Sequence, residues 1–156
     1  SGQAAAELNP PKRRSPMPCL IAAPASGSGK TLVSLALTAL ARQRGQSIQT
    51  FKVGPDYLDP QLLSEVSGNA CRNLDTLLCG RQWVRRCFQW HGSRASRVLV
   101  EGVMGLFDGR LGTGGEGSTA EIARLTDSPV VLVADCSNRV GRRVSLRAAR
   151  SSTVKL

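Results

Sequence analysis

Pro24-Ala25-Ser26-Gly27-Ser28-Gly29-Lys30-Thr31 lies between an apolar run that ends at Ala23 and a stretch of helical periodicity that begins at Gly29. A strand, a loop of small residues and a helix start, in that order, make a phosphate cradle. The small residues Ser26, Gly27, Ser28 and Gly29 let successive backbone N–H groups curl round phosphate oxygens, and the helix N-terminus adds partial positive charge. Lys30 then reaches the β and γ phosphates of ATP, and Thr31 offers its hydroxyl to Mg²⁺. The usual motif carries glycine five residues before Gly29, where this chain has Pro24. The fixed φ of proline suits a turn and removes only one donor, so the cradle stands while its subclass stays open.

Outward from this loop, short apolar strands alternate with helical stretches, the pattern of a parallel sheet covered by helices. The strands are expected over 18–23, 47–53, 97–101 and 129–135. The helix from Gly29 to Arg44 places Leu32, Leu35, Ala36, Ala39 and Leu40 at helical spacing, expected to lie on the sheet, with Gly45 as terminator. Ser118 and Glu121 form a capping box for a helix reaching Thr126, and weaker helices are expected over 60–67 and 81–90. The fold expected is a three-layer α/β P-loop NTPase domain over 18–137, its sheet mostly parallel and incomplete at the C-terminus. Residues 1–17 read as a disordered lead-in, and 138–156 as an arginine-rich, atypical tail.

Ligands of such sheets gather where the strands end at their carboxyl edge. Three turns there carry acids: Asp56 and Asp59 after the second strand, Glu101 and Asp108 at and after the third, and Asp135 closing the fourth. Thr31 with Asp56 and Glu101 would complete an oxygen shell around Mg²⁺, and Lys52 would set a second cation against a transferring phosphoryl group. Asp59, just before Pro60, reads equally well as a turn former.

The net charge of +10 belongs mainly to the ends: 19–137 hold twelve basic against ten acidic residues. With no interleaved aromatic platform, a nucleic-acid partner is not expected. The apolar runs are too short for a membrane span and no secretory signal is evident, which gives a cytoplasmic expectation. Cys19, Cys71, Cys79, Cys87 and Cys136 are odd in number and form no C-x-x-C pair, so reduced thiols are expected; His91 receives no role.

Gly54-Pro55-Asp56-Tyr57-Leu58-Asp59-Pro60, Asn73-Leu74-Asp75, the run from Glu101 to Gly109 and Gly117-Ser118-Thr119-Ala120-Glu121 together resemble the cobyrinic acid a,c-diamide synthases over residues 19–137. The resemblance implies a dethiobiotin-synthetase-like P-loop domain followed by a glutaminase domain. It implies ATP-driven phosphorylation of the a and c carboxylates of cobyrinic or hydrogenobyrinic acid, followed by attack of glutamine-derived ammonia. Lys30 and Thr31 then serve phosphate and Mg²⁺, Lys52 neutralises the transferring group, and Asp56, Asp59, Glu101 and Asp108 line the metal and substrate site, with Asp75 a weaker candidate. The glutaminase half is read as absent, which makes the chain a fragment; a homodimer is compatible with the resemblance. Three rivals stay open. One is a ParA- or MinD-type ATPase switch, which carries a second lysine near the loop start where this chain has Ala25. The second is dethiobiotin synthetase itself, which uses the same phosphoryl chemistry on a carbamate, although the run from Glu101 to Gly109 favours the corrin enzymes. The third is an inactive truncated remnant.

Overall fold

The computed structural model describes residues 16–109, 115–135 and 144–149; the expectations for 1–15, Cys136 and the remainder of 138–156 lie outside the described residues. Six strands form one sheet in the order β3-β2-β4-β1-β5-β6. They are β1 (Pro18–Ala22), β2 (Ile48–Val53), β3 (Arg72–Leu74), β4 (Arg97–Glu101), β5 (Val130–Asp135) and β6 (Val144–Ala149). All pairings among the first five are parallel, and β6 joins β5 antiparallel. The stretch read as an atypical tail therefore contributes an edge strand. Its arginines hid the strand, because an edge strand need not show a continuous apolar run.

Alternation along the strands sorts the core into two faces. Leu20, Ala22, Phe51, Val53, Val98 and Val100 pack on one side with Val84 and Cys87 of α4 (Arg81–Gly92) and Ile122 and Ala123 of α5 (Thr119–Leu125). Ile21, Ile48, Leu99 and Val133 face the other side, where Ala41 of α1 (Lys30–Gln43) packs. Helices thus cover both faces, the three layers expected, and all six residues of β2 are buried, as a doubly covered parallel strand requires. The helices α2 (Leu58–Ser67) and α3 (Thr76–Cys79) follow β2 and β3 in the chain.

The rotation of α1 corrects the sequence expectation. Its buried stripe is Lys30, Ser34, Thr38 and Ala41, whereas Leu32 is 74% and Leu40 39% exposed. Lys30 must point into the phosphate loop, and residues four, eight and eleven further on share its face. The chemistry of the helix start fixes its phase, and the leucines turn outward. The Thr38 hydroxyl donates to the Ser34 carbonyl at 2.7 Å, which satisfies one buried polar group on that stripe.

Candidate nucleotide site

The loop between β1 and α1 opens into a cleft of about 440 Å³ lined by Ser26 to Thr31, Lys52, Asp56, Asp59, Glu101, Val103 and Met104. Gly29 starts α1 at φ +87°, a left-handed conformation that any other residue would strain, so the loop can turn directly into the helix. Parallel pairing of β1 with β4, and of β4 with β2, brings Ile21, Glu101 and Lys52 into register, so all three strands end at one edge.

There the side chains converge. Thr31 Oγ1 donates to Glu101 Oε1 at 2.9 Å and lies 3.4 Å from Asp59 Oδ2. Lys52 Nζ donates to Asp59 Oδ2 at 2.8 Å, Glu101 Oε1 at 2.9 Å and the Gly102 carbonyl at 3.2 Å, with Asp56 Oδ2 at 3.6 Å. Asp56 also caps α2, its Oδ1 accepting from the Leu58 N–H at 3.0 Å. Asp59, which the sequence left undecided between turn and site, belongs to the cluster. Glu101 is completely buried, and its Oε2 has no hydrogen-bond partner. A buried, unpaired carboxylate oxygen is costly; the other oxygen of the same carboxylate is the one bonded by Thr31 and Lys52.

The two lysines differ in charge environment. Burial first, then repulsion from Lys52, pushes the Lys30 pKa down, only partly offset by Glu101, Asp59 and Asp108. Burial also acts to lower Lys52, yet hydrogen bonds and charge from Asp59 and Glu101 overcome it, and its pKa is raised. Asp59 moves the opposite way: burial opposes its ionisation, but Lys52 holds its pKa below the usual carboxylate range.

Asp108 acts on the Lys30 charge from beside the cleft. Its Oδ2 accepts from the Gly105 N–H at 2.9 Å, closing the turn after β4, and it does not line the cleft. Asp75 caps α3 by accepting from the N–H groups of Leu77 and Leu78. Three contributors lie inside the quoted motifs but receive no role of their own there. Lys30 Nζ donates to the Met104 carbonyl at 2.9 Å, and Met104 adopts φ +47°. The Thr119 hydroxyl pins that turn by bonding both the N–H and the carbonyl of Val103, at 2.9 and 3.0 Å. Asn73 Nδ2 holds the carbonyls of Gly54 and Asp56 at 2.8 and 2.7 Å, which fixes the Asp56 turn from the neighbouring strand.

Farther along the same edge, Ser118 caps α5 through the Glu121 N–H at 3.1 Å, half of the expected capping box. The Glu121 carboxylate reaches elsewhere, to the Gly117 N–H, the Thr76 hydroxyl at 2.9 Å and Arg81 Nε at 2.8 Å. The cysteines described, Cys19, Cys71, Cys79 and Cys87, are free thiols, and burial pushes Cys71 up to about 11. Among the described residues no helix is long and apolar enough to cross a membrane, and no three His, Cys, Asp or Glu side chains form a ready-made metal cage.

A strand-ending phosphate loop that shares its edge with Thr31, Lys52 and Glu101 agrees with what sequence comparison finds. The family described as CobQ/CobB/MinD/ParA nucleotide binding domain matches residues 19–141. The chain belongs to this family. It is 49% identical over 122 residues to a cobyrinate a,c-diamide synthase of Synechococcus sp., covering 78% of this chain and 27% of that protein. A cobyrinate a,c-diamide synthase of Syntrophotalea carbinolica is 54% identical over 114 residues, with 73% and 25% covered. A hydrogenobyrinate a,c-diamide synthase of Streptomyces coelicolor is 49% identical over 121 residues, with 77% and 25% covered. The chain spans about a quarter of the length of these curated relatives.

Proposed function

We propose that this domain binds Mg-ATP and forms the phosphoryl-transferring part of a cobyrinate or hydrogenobyrinate a,c-diamide synthase. The observation that carries the reading is the contact of the Thr31 hydroxyl with Glu101, whose second oxygen is buried without a partner. Charge supports it as well. Lys30 and Lys52 face Asp56, Asp59 and Glu101, two cations against three anions, so a bare triphosphate would enter a net negative cleft. A divalent cation reverses that sign. The oxygen-only donor set of Thr31, Asp56 and Glu101 suits Mg²⁺, which binds through one or two carboxylates while keeping waters and phosphate oxygens. When bound, it would neutralise charge developing on the β and γ phosphates.

The chain's own groups do the positioning. Loop N–H groups at Ser26 to Thr31 hold the phosphates, and Lys30 leaves the Met104 carbonyl to meet the β and γ oxygens. Lys52 holds Asp59 and Glu101 in place and supplies positive charge beside the transferring group. A carboxylate oxygen of the corrin attacks the γ phosphorus, ADP leaves with its bridging oxygen, and a mixed anhydride results. Ammonia then attacks the acyl carbon, the bond from that carbon to the phosphate oxygen breaks, and the proton that the nitrogen loses leaves on the departing hydrogenphosphate, giving the amide. The relatives' printed names, cobyrinate and hydrogenobyrinate a,c-diamide synthase, support the substrate; glutamine as the ammonia source rests on the resemblance of the motifs. Asp108 acts by shaping the turn after β4.

The test is calorimetric titration of the chain with ATP, with and without Mg²⁺, beside Glu101→Ala. Mg²⁺ should tighten ATP binding at least tenfold in the parent and have little effect in the variant. No binding at millimolar Mg-ATP would overturn the reading. Binding without turnover when hydrogenobyrinic acid and ammonia are supplied would instead locate the substrate contacts in the rest of a longer protein.

A further inference from the structure

From Thr76 to Val100 the chain contains five arginines and no aspartate or glutamate. The helix at the centre of this stretch, α4, turns Val84 and Cys87 inward, and Phe88 stacks near Phe51 with ring centres 5.1 Å apart. Its outer face carries Trp83, Arg86 and Trp90 at successive offsets of three and four residues, and Arg94 follows in the turn just past the helix end. Trp83 is 49% and Trp90 62% exposed. Between them lies a groove of about 620 Å³, larger than the nucleotide cleft, lined by Trp83, Arg86, Cys87, Trp90 and His91. Two exposed indoles on one stripe, separated by a groove, have no role in the core, and Trp with Arg is the composition of interface anchors.

We infer that this stripe of α4 is a docking surface for an acidic protein segment that carries an apolar side chain between its carboxylates. Charge decides the partner's sign: Arg86 and Arg94 flank the indoles, and the acid-free stretch offers no competing carboxylate. Guanidinium groups held against aromatic rings are well suited to bidentate carboxylate pairing. Geometry decides its class. Arg94 lies over the Trp90 ring, 3.5 Å from its centre, and also donates to the Trp90 carbonyl. That face of Trp90 is therefore taken, which leaves Trp83 as a single open ring in place of a two-ring stacking platform; the ring edges and the groove between them remain, which fit an aliphatic or aromatic side chain. A second copy of this basic chain would bring like charge to the stripe. The surface lies outside the cleft, so the inference does not depend on the reading of the nucleotide site.

Trp83 and Trp90 are the only tryptophans, which makes their emission a direct reporter. The probe is a synthetic twelve-residue peptide of repeating Asp-Phe-Glu-Leu, compared with its Asn-Phe-Gln-Leu counterpart and a thymidine oligonucleotide of similar length. The acidic peptide should change the emission saturably in the micromolar range, with affinity at least tenfold above the amide peptide and falling as salt rises. The double variant Arg86→Glu/Arg94→Glu should lose at least tenfold in affinity while keeping both reporters and an unchanged circular dichroism spectrum. If the oligonucleotide binds more tightly than the acidic peptide, the surface is a nucleic-acid site and the proposal fails. It fails equally if the acidic peptide gives no saturable signal up to millimolar concentration, if the two peptides bind alike, or if the signal follows self-association of the chain.

Discussion

The start of α1 and the end of β2 place one lysine each in the same cleft, under opposite conditions. Lys30 has a neutral carbonyl as its partner, and burial together with Lys52 makes its charge unwelcome. Lys52 is saturated by Asp59, Glu101 and the Gly102 carbonyl, and its charge is favoured. A cation bonded to a neutral carbonyl awaits an anion, whereas one bonded to carboxylates has found its counter-ions. The first lysine is therefore set for a ligand, and the second holds together an edge at which three strands end.

The difference yields ordered expectations. Lys52→Met should cost about 3 kcal/mol in urea unfolding, because it leaves Glu101 and Asp59 without their buried counter-ion. Lys30→Ala should cost less than about 1 kcal/mol in stability yet weaken Mg-ATP about 30-fold, the loss of one charge-assisted contact of ~2 kcal/mol. If both variants lost stability alike and bound nucleotide alike, the contrast between the lysines would be void. Next comes the turn that presents the Met104 carbonyl to Lys30. A Cβ on Gly102 would lie 2.6 Å from Thr119 Cγ2 and 2.9 Å from the Ile21 carbonyl. Gly102→Ala should therefore destabilise by about 2 kcal/mol, the cost of forced overpacking, measured by thermal unfolding.

A carboxylate outside the cleft supplies the smallest effect and a control. Glu121 has its pKa depressed: burial opposes its ionisation, while the Gly117 N–H, Arg81 and Thr76 outweigh it. A depressed folded pKa stabilises at pH above the unfolded value, about 4.3, and is lost as pH falls through the folded one. Glu121→Gln should thus cost about 1 kcal/mol at neutral pH, since Arg81 is largely in water. The gap to the parent should close between about pH 4.3 and the lower folded value, followed by urea unfolding against pH. A gap that stayed constant down to pH 2 would assign the loss to packing instead of charge.

The sequence reading succeeded where one residue type has one physical use. Consecutive small residues before Lys30-Thr31, apolar runs ending in acids, and Ser118 ahead of Glu121 each admit few conformations, and all lie as expected within a residue or two of their boundaries. It failed where a choice depends on neighbours distant in sequence. The outward face of α1 could not be foreseen from its leucines, because the phase of the helix is set by Lys30 meeting the turn after β4, 74 residues away. The short strand β3 is only partly buried and shows no apolar run. The turn after β4 is organised by a backbone carbonyl at Met104 and a hydroxyl at Thr119, groups whose partners no local pattern announces. Asp108 adds a contact of its own, its Oδ2 accepting from the adjacent Gly105 N–H while its charge acts on Lys30.

The turned-out leucines of α1 have a practical consequence. With Leu32 74%, Leu37 36% and Leu40 39% exposed along one helix, an isolated preparation offers other molecules a greasy ridge that basic charge alone must keep apart. Concentrated stocks should cloud first when salt screens that repulsion, so colloidal behaviour will report on this ridge before any assay of chemistry does.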